Sequence, residues 1–202
     1  MNLFRYIGRS TKKVEADVDD HDVGEADLKE LISKAAGGDY KAFGKLYDIY
    51  LGRIYGYVYY HVRDKMASED ITQQVFIKVW EALGKYEQRD QRFSSWIFRI
   101  AHNHMIDYYR STQRDSKLKN RIAIETDDPE QQVEDKFRQE EIMNALSTLT
   151  DQQRQVIILK FIEGFDNREI AEILGKNEGS IRITQMRALM ALREKFSGEI
   201  DQ

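Results

Sequence analysis

An all-α fold of two small helical domains joined by a flexible acidic linker, the second domain containing a helix-turn-helix, is the architecture this sequence predicts. Three observations predict it. Apolar residues recur at three- and four-residue steps along most of the chain, and no alternating stretch with Asn-Gly or Asp-Gly turns marks a β-hairpin. The charge is blocked: residues 89 to 121 carry eight Lys or Arg against three Asp, whereas residues 125 to 141 carry eight acids against Lys136 and Arg138. The only proline, Pro129, sits in the acidic block, whose like charge and scarce apolar content leave little to offset ordering entropy.

The composition narrows the class. At 202 residues, 41% hydrophobic and 33% charged, the chain suits one large or two small soluble domains. The absence of cysteine removes a disulfide framework or thiolate metal cluster and agrees with a reducing compartment. No segment reaches the roughly 18 uninterrupted apolar residues of a membrane span, and no signal-like apolar run follows the basic N-terminal residues. The expected location is cytoplasmic. The expected divisions are a mobile polar tail over residues 1–24, a first domain over 25–113, a linker over 114–136 and a second domain over 137–202.

In the first domain a short helix is predicted from Ala26 to Ala36, ending at Gly37-Gly38. Three amphipathic helices follow. Phe43, Tyr47, Tyr50, Ile54 and Val58 define one, Ile71, Val75, Val79 and Leu83 the next, and Ile97, Ile100, Ala101 and Met105 the third. Ser68 suits the N-cap of the middle helix, with Glu69 and Asp70 where the helix dipole favours negative charge.

In the second domain Ile142, Ala145 and Leu146 mark one helix. Thr150 with Gln153 forms a capping box that opens another through about Ile162, closed by Gly164. Asp166 with Glu169 is a second capping box. Its helix starts at Asn167, buries Ile170, Ala171, Ile173 and Leu174, and stops at Gly175. Asn177 caps a longer helix with Ile181, Thr184, Ala188 and Leu192 inward. Two helices on a short Gly-containing turn, with small Ala171 and Ala188 at the crossing, form a helix-turn-helix, whose second helix enters the DNA major groove. The outward positions Arg182, Ile183, Met186 and Arg187 suit guanine edges, phosphates and thymine methyls, and Arg168 in the preceding helix joins them as a contact. The same pattern would also fit a plain αα-hairpin with solvated arginines.

Ordered along the chain, "FGKLYDIYLGRIYGYVYYHVRD", "SEDITQQVFIKVWEAL", "FSSWIFRIAHNHMIDYYR" and "ALSTLTDQQRQVIILKFIEGFDNREIAEILGKNEGSIRITQMRALMALREKF" resemble bacterial sigma factors of the extracytoplasmic-function (ECF) type. That family carries two domains, regions 2 and 4, on a flexible linker. The resemblance covers roughly residues 40–113 and 139–196. It implies a promoter-specificity subunit that binds the RNA polymerase core, engages promoter DNA, and usually answers to an anti-sigma factor, often membrane-anchored. Thr184 departs from a position that is commonly apolar in the family.

The resemblance also allots sites. The helix holding "SEDITQQVFIKVW" matches region 2.2, which binds the clamp helices of the polymerase's largest subunit, and its mixed outward face offers Asp70, Gln74 and Trp80. Ten of eleven tyrosines and both tryptophans lie between Tyr40 and Tyr109, and most of these are core. The stretch from Lys85 to Asn103 interleaves aromatics with Arg89, Arg92 and Arg99, a pattern that can hold single-stranded DNA. The resemblance puts minus-10 reading and duplex melting here. Tyr86, Gln88, Arg89, Asp90, Gln91 and Arg92 are then the pocket and loop residues, Arg99, Asn103 and Arg110 face the backbone, and Phe93 and Trp96 are mostly core.

Two other classes compete. An enzyme would need ligands or a nucleophile, yet His102 and His104 are two apart and point to different helix faces, and no Gly-rich phosphate loop or nucleophile motif appears. No cofactor, metal or small-molecule substrate is expected. A one-component repressor or activator with a helical sensor domain would explain the helix-turn-helix but not the ordered first-domain motifs.

Overall fold

A computed structural model of the chain describes residues 24–87, 92–115 and 133–198, and every element among them is helical. The predicted tail, apart from Gly24, lies outside the described residues, as do Gln88, Arg89, Asp90, Gln91 and most of the predicted linker. The described residues form two compact units, one over residues 24–115 and the other over 133–198.

The first unit holds α1 (Glu25–Ala36), α2 (Tyr40–Val62), α3 (Lys65–Leu83) and α4 (Phe93–Asp115). Asp39 caps α2, its carboxylate accepting from the Lys41 and Ala42 amides at 2.8 and 3.2 Å. The start of α3 differs from the sequence expectation. It begins three residues before Ser68, because Asp64 accepts from the Ala67 amide at 2.7 Å and takes the capping role. Ser68 is buried inside the helix instead, donating its hydroxyl to the Asp64 carbonyl at 2.6 Å.

The core forms where α2, α3 and α4 face one another. Tyr50, Ile54, Tyr57 and Val58 of α2 meet Ile71, Val75, Val79 and Leu83 of α3 and Ile97, Phe98, Ala101 and Met105 of α4, with Ile32 and Ala35 added by α1. Burying each large aliphatic or aromatic side chain contributes about 1.5–3 kcal/mol. Phe43, Tyr47 and Ile100 of the predicted stripes are only half-buried, and Leu46, Ile49 and Tyr57 fill the interior beside them. A polar cluster joins α2 to α4 through this core. The Tyr57 hydroxyl and His102 Nδ1 are 3.1 Å apart, His61 Nδ1 meets the Tyr57 carbonyl at 2.7 Å, and Tyr109 donates to the His61 carbonyl at 2.6 Å.

The second unit holds α5 (Val133–Ser147), α6 (Asp151–Ile157), α7 (Asn167–Leu174) and α8 (Glu178–Gly198). α5 starts inside the segment assigned to the linker. Both capping boxes form: Thr150 with Gln153 opens α6, and Asp166 with Glu169 opens α7. The predicted helix to Ile162 is right in extent but not in pitch, because a π-helical turn covers Ile158–Ile162 and the Glu163 amide reaches back to the Ile158 carbonyl at 3.0 Å. Five consecutive residues, Gln155 to Leu159, are buried here, so the rod lies within its unit rather than on its surface. Ile142, Leu146, Phe165, Ile170, Ile173, Ile181 and Leu192 complete this core, and Ala171 and Ala188 are buried where α7 and α8 meet.

Candidate nucleic-acid interface and docking face

The helix-turn-helix is positioned by local chemistry at three points. Asp166 accepts from the Glu169 amide at 2.8 Å while Glu169 returns a bond to the Asp166 amide at 2.9 Å, fixing where α7 begins. Gly175 then turns the chain with φ +62°, a left-handed conformation that suits glycine. Asn177 accepts from the Ser180 amide at 2.8 Å and starts α8. With Ile181, Ala188 and Leu192 buried, the opposite side of α8 carries Arg182, Ile183, Met186 and Arg187 outward. Ile183 and Met186 are 50% and 55% exposed. Met190, 64% exposed, extends this apolar stripe beyond the four outward positions the sequence pattern marks, at a helical spacing from Ile183 and Met186. Thr184 is half-buried and donates to the Ser180 carbonyl at 2.8 Å, which satisfies the hydroxyl at that unusual position.

Two of the expected DNA-contacting arginines carry a carboxylate from their own helix. Arg182 donates Nη2 and Nε to Glu178 Oε1 at 2.6 and 3.2 Å, and Arg168 donates Nε to Glu172 Oε1 at 3.3 Å. Both arginines are well solvated and their carboxylate partners are half-buried at the surface, so each pair adds little to stability.

In the first unit, Arg92 precedes α4, and Arg99, Asn103 and Arg110 are exposed along one side of that helix. Arg110 lies 3.6 Å from Asp107. Tyr86 packs edge-on against Phe93, centroids 5.4 Å apart, and tilted against Trp96 at 4.9 Å. Burial pushes its hydroxyl pKa up to about 12. Phe93 is buried and Trp96 half-buried, in the packing role expected of both. Tyr86 is thus held against the first turn of α4.

Asp70 and Gln74 lie on the exposed side of α3, together with Gln73 and Ile77. Trp80, at the end of the same face, is half-buried: Tyr40 stacks on it with centroids 4.8 Å apart and planes 27° inclined, and Phe43 meets it edge-on at 4.8 Å. Tyr40 is itself 77% exposed and continues the α3 face onto the start of α2, a neighbour the sequence pattern of α3 alone did not suggest. Burial first, then the charges of Asp64 and Asp70, raises the Tyr108 hydroxyl pKa. Among the described residues no group of three His, Asp or Glu is placed to hold a metal ion, and no helix is long and apolar enough to cross a membrane.

Residues 46–115 match the family profile Sigma-70 region 2, and residues 139–192 match Sigma-70, region 4. ECF RNA polymerase sigma factor SigK of Mycolicibacterium vanbaalenii is 31% identical over 84% of this chain and 89% of its own length. The chain belongs to the ECF sigma factor family. ECF sigma factor SigX of Bacillus subtilis is 33% identical over 76% of this chain and 83% of its own, and BldN of Streptomyces coelicolor is 30% identical over 85% of this chain and 66% of its own. Among solved structures, CnrH in complex with the cytosolic domain of CnrY shares the fold with a TM-score of 0.66 at 24% identity, over 84% of this chain and 97% of that one. RpoE of Bartonella quintana in complex with the anti-sigma factor NepR does so with a TM-score of 0.63 at 23% identity, over 78% and 98%. As an ECF sigma factor the protein is a transcription regulator. Two sigma regions in order disfavour a one-component repressor or activator, because a sensor domain would have to replace region 2.

Proposed function

We propose that the region 2-like unit binds core RNA polymerase through α3 and opens the minus-10 element with the 86–92 segment and α4, while the region 4-like unit reads the minus-35 duplex with α8. The observation that carries this reading is the two-sidedness of α8. Ile181, Ala188 and Leu192 anchor it in the core, and Arg182, Ile183, Met186 and Arg187 stand outward as a mixed basic and apolar strip suited to guanine edges and thymine methyls. Arg168 would steady the preceding helix on phosphate. Arg99, Asn103 and Arg110, aligned on α4, would track the backbone of the opening strand, with Arg89 and Arg92 flanking the extruded base and Gln88, Asp90 and Gln91 shaping its pocket.

Asp70, Gln74 and Trp80 would meet the clamp helices of the polymerase's largest subunit. The chain contributes no chemistry of its own and works where the polymerase works, in the cytoplasm. The likeness to a sigma factor seen with its anti-sigma factor supports a cognate anti-sigma partner here. In vitro transcription tests the reading: added to core polymerase, the chain should create discrete start sites on genomic templates that core alone ignores. If none appears while another sigma factor works with the same core, the reading fails.

A further inference from the structure

We infer that Glu178 is a positioning residue that sets which edge of Arg182 meets DNA, and so sharpens discrimination at one base pair. The inference rests on the reading that α8 reads the minus-35 duplex. Glu178 is the first residue of α8 and lies one turn before Arg182. Its Oε1 accepts from both Nε and Nη2 of the guanidinium, at 3.2 and 2.6 Å. Those two nitrogens form one edge of the fork. The Nη1 and Nη2 hydrogens at the far end remain to face a guanine O6 and N7, the bidentate contact that specifies guanine.

An unrestrained arginine can reach phosphate as readily as a base, and a phosphate contact carries no sequence information. Glu178 counters this in two ways. It holds the guanidinium in one orientation before DNA arrives, and its own charge opposes the approach of phosphate to that edge. Removing the carboxylate therefore lowers sequence preference while raising attraction to DNA of any sequence. A carboxylate that only stabilised the helix start would behave differently, since its loss would weaken the fold and all binding together.

The test uses holoenzyme assembled from core polymerase and the full chain, bound to a duplex pool randomised upstream of a fixed minus-10 element, with the bound fraction sequenced. Binding to off-sequence duplex and the thermal midpoint of each variant are measured alongside. Arg182→Ala should flatten the guanine preference at one base pair by about fivefold or more, the low end for a bidentate contact. Glu178→Ala should flatten that same base pair by roughly threefold or more while off-sequence binding rises. Glu178→Gln, which keeps an acceptor oxygen, should retain more of the preference, and the double variant should be no flatter than Arg182→Ala alone.

A Glu178→Ala profile that keeps the preference lost in Arg182→Ala would overturn the inference and leave the minus-35 reading standing. A change at a different base pair would make Glu178 a reader in its own right and also overturn it. Parallel loss of off-sequence binding and thermal midpoint would reduce Glu178 to a helix-start residue. If Arg182→Ala leaves every preference intact, the minus-35 role of Arg182 fails, and the inference with it.

Discussion

Tyr86 lies against Trp96, ring centroids 4.9 Å apart, so the residue entering the 88–91 segment is anchored to the first turn of α4. The partly buried phenol favours its neutral form, and its pKa is raised from the ordinary 10 to about 12. Stability from that neutral form is fully present below about pH 10 and is lost as pH rises through about 12. Tyr86→Phe, which cannot ionise, should flatten part of the alkaline limb. Urea midpoints measured for both chains from pH ~9 to ~12 should draw apart toward the top of the range, the Tyr86 chain falling further than Tyr86→Phe, and parallel curves would contradict the assignment.

Duplex opening should depend on the basic residues at this segment. Arg89→Ala and Arg92→Ala are expected to spare closed-complex formation and to reduce permanganate-reactive thymines near the start site. A premelted bubble template should restore their activity. Tyr86→Ala should resemble them, whereas Tyr86→Phe should not, because the ring packing against Phe93 and Trp96 is kept.

Minus-35 docking precedes strand opening, so a bubble should not rescue Arg182→Ala or Arg187→Ala on a promoter that depends on that element. Each should cost about 1–3 kcal/mol in holoenzyme binding and relax preference at particular base pairs. Equal rescue of both classes by the bubble would refute the division of labour between the two units.

Docking and folding should separate on the α3 face. Asp70→Ala and Gln74→Ala, both exposed, should weaken association with core polymerase at an unchanged thermal midpoint. Trp80→Ala should lower both, since Trp80 also packs against Tyr40 and Phe43 and each aromatic pair adds about 0.5–1.5 kcal/mol. Fluorescence anisotropy with labelled core, beside calorimetry of the free chain, reads the two effects independently.

Gly175 gives a purely conformational test. A Cβ at this position would meet nothing within 4 Å, yet φ is +62°, so Gly175→Ala should cost about 1–2 kcal/mol from backbone strain alone. Gly175→Asn should lose less, because asparagine tolerates the left-handed region. Equal losses in chemical denaturation would point to a clash instead.

What the sequence determined by itself was local. Thr150 with Gln153, Asp166 with Glu169, Gly175 and Asn177 each act on partners within a few residues, so their spacing alone fixed where α6, α7 and α8 start and where α7 ends. The inward stripes were legible for the same reason, because helical period decides which side chains share a face. Tertiary structure decided what depends on a second element. Ser68 looked like a cap, but Asp64 took that place and Ser68 was buried in the core. The π-helical turn at Ile158–Ile162 lies in a rod that buries five successive side chains, which periodicity along one helix does not foretell. Tyr40 reaches Trp80 and Tyr57 reaches His102 only because separate helices bring them together, 40 and 45 residues apart in sequence. The four-residue spacing of Glu178 and Arg182 is legible in the sequence, but which guanidinium edge the carboxylate takes is decided by how the two side chains fold onto each other on α8.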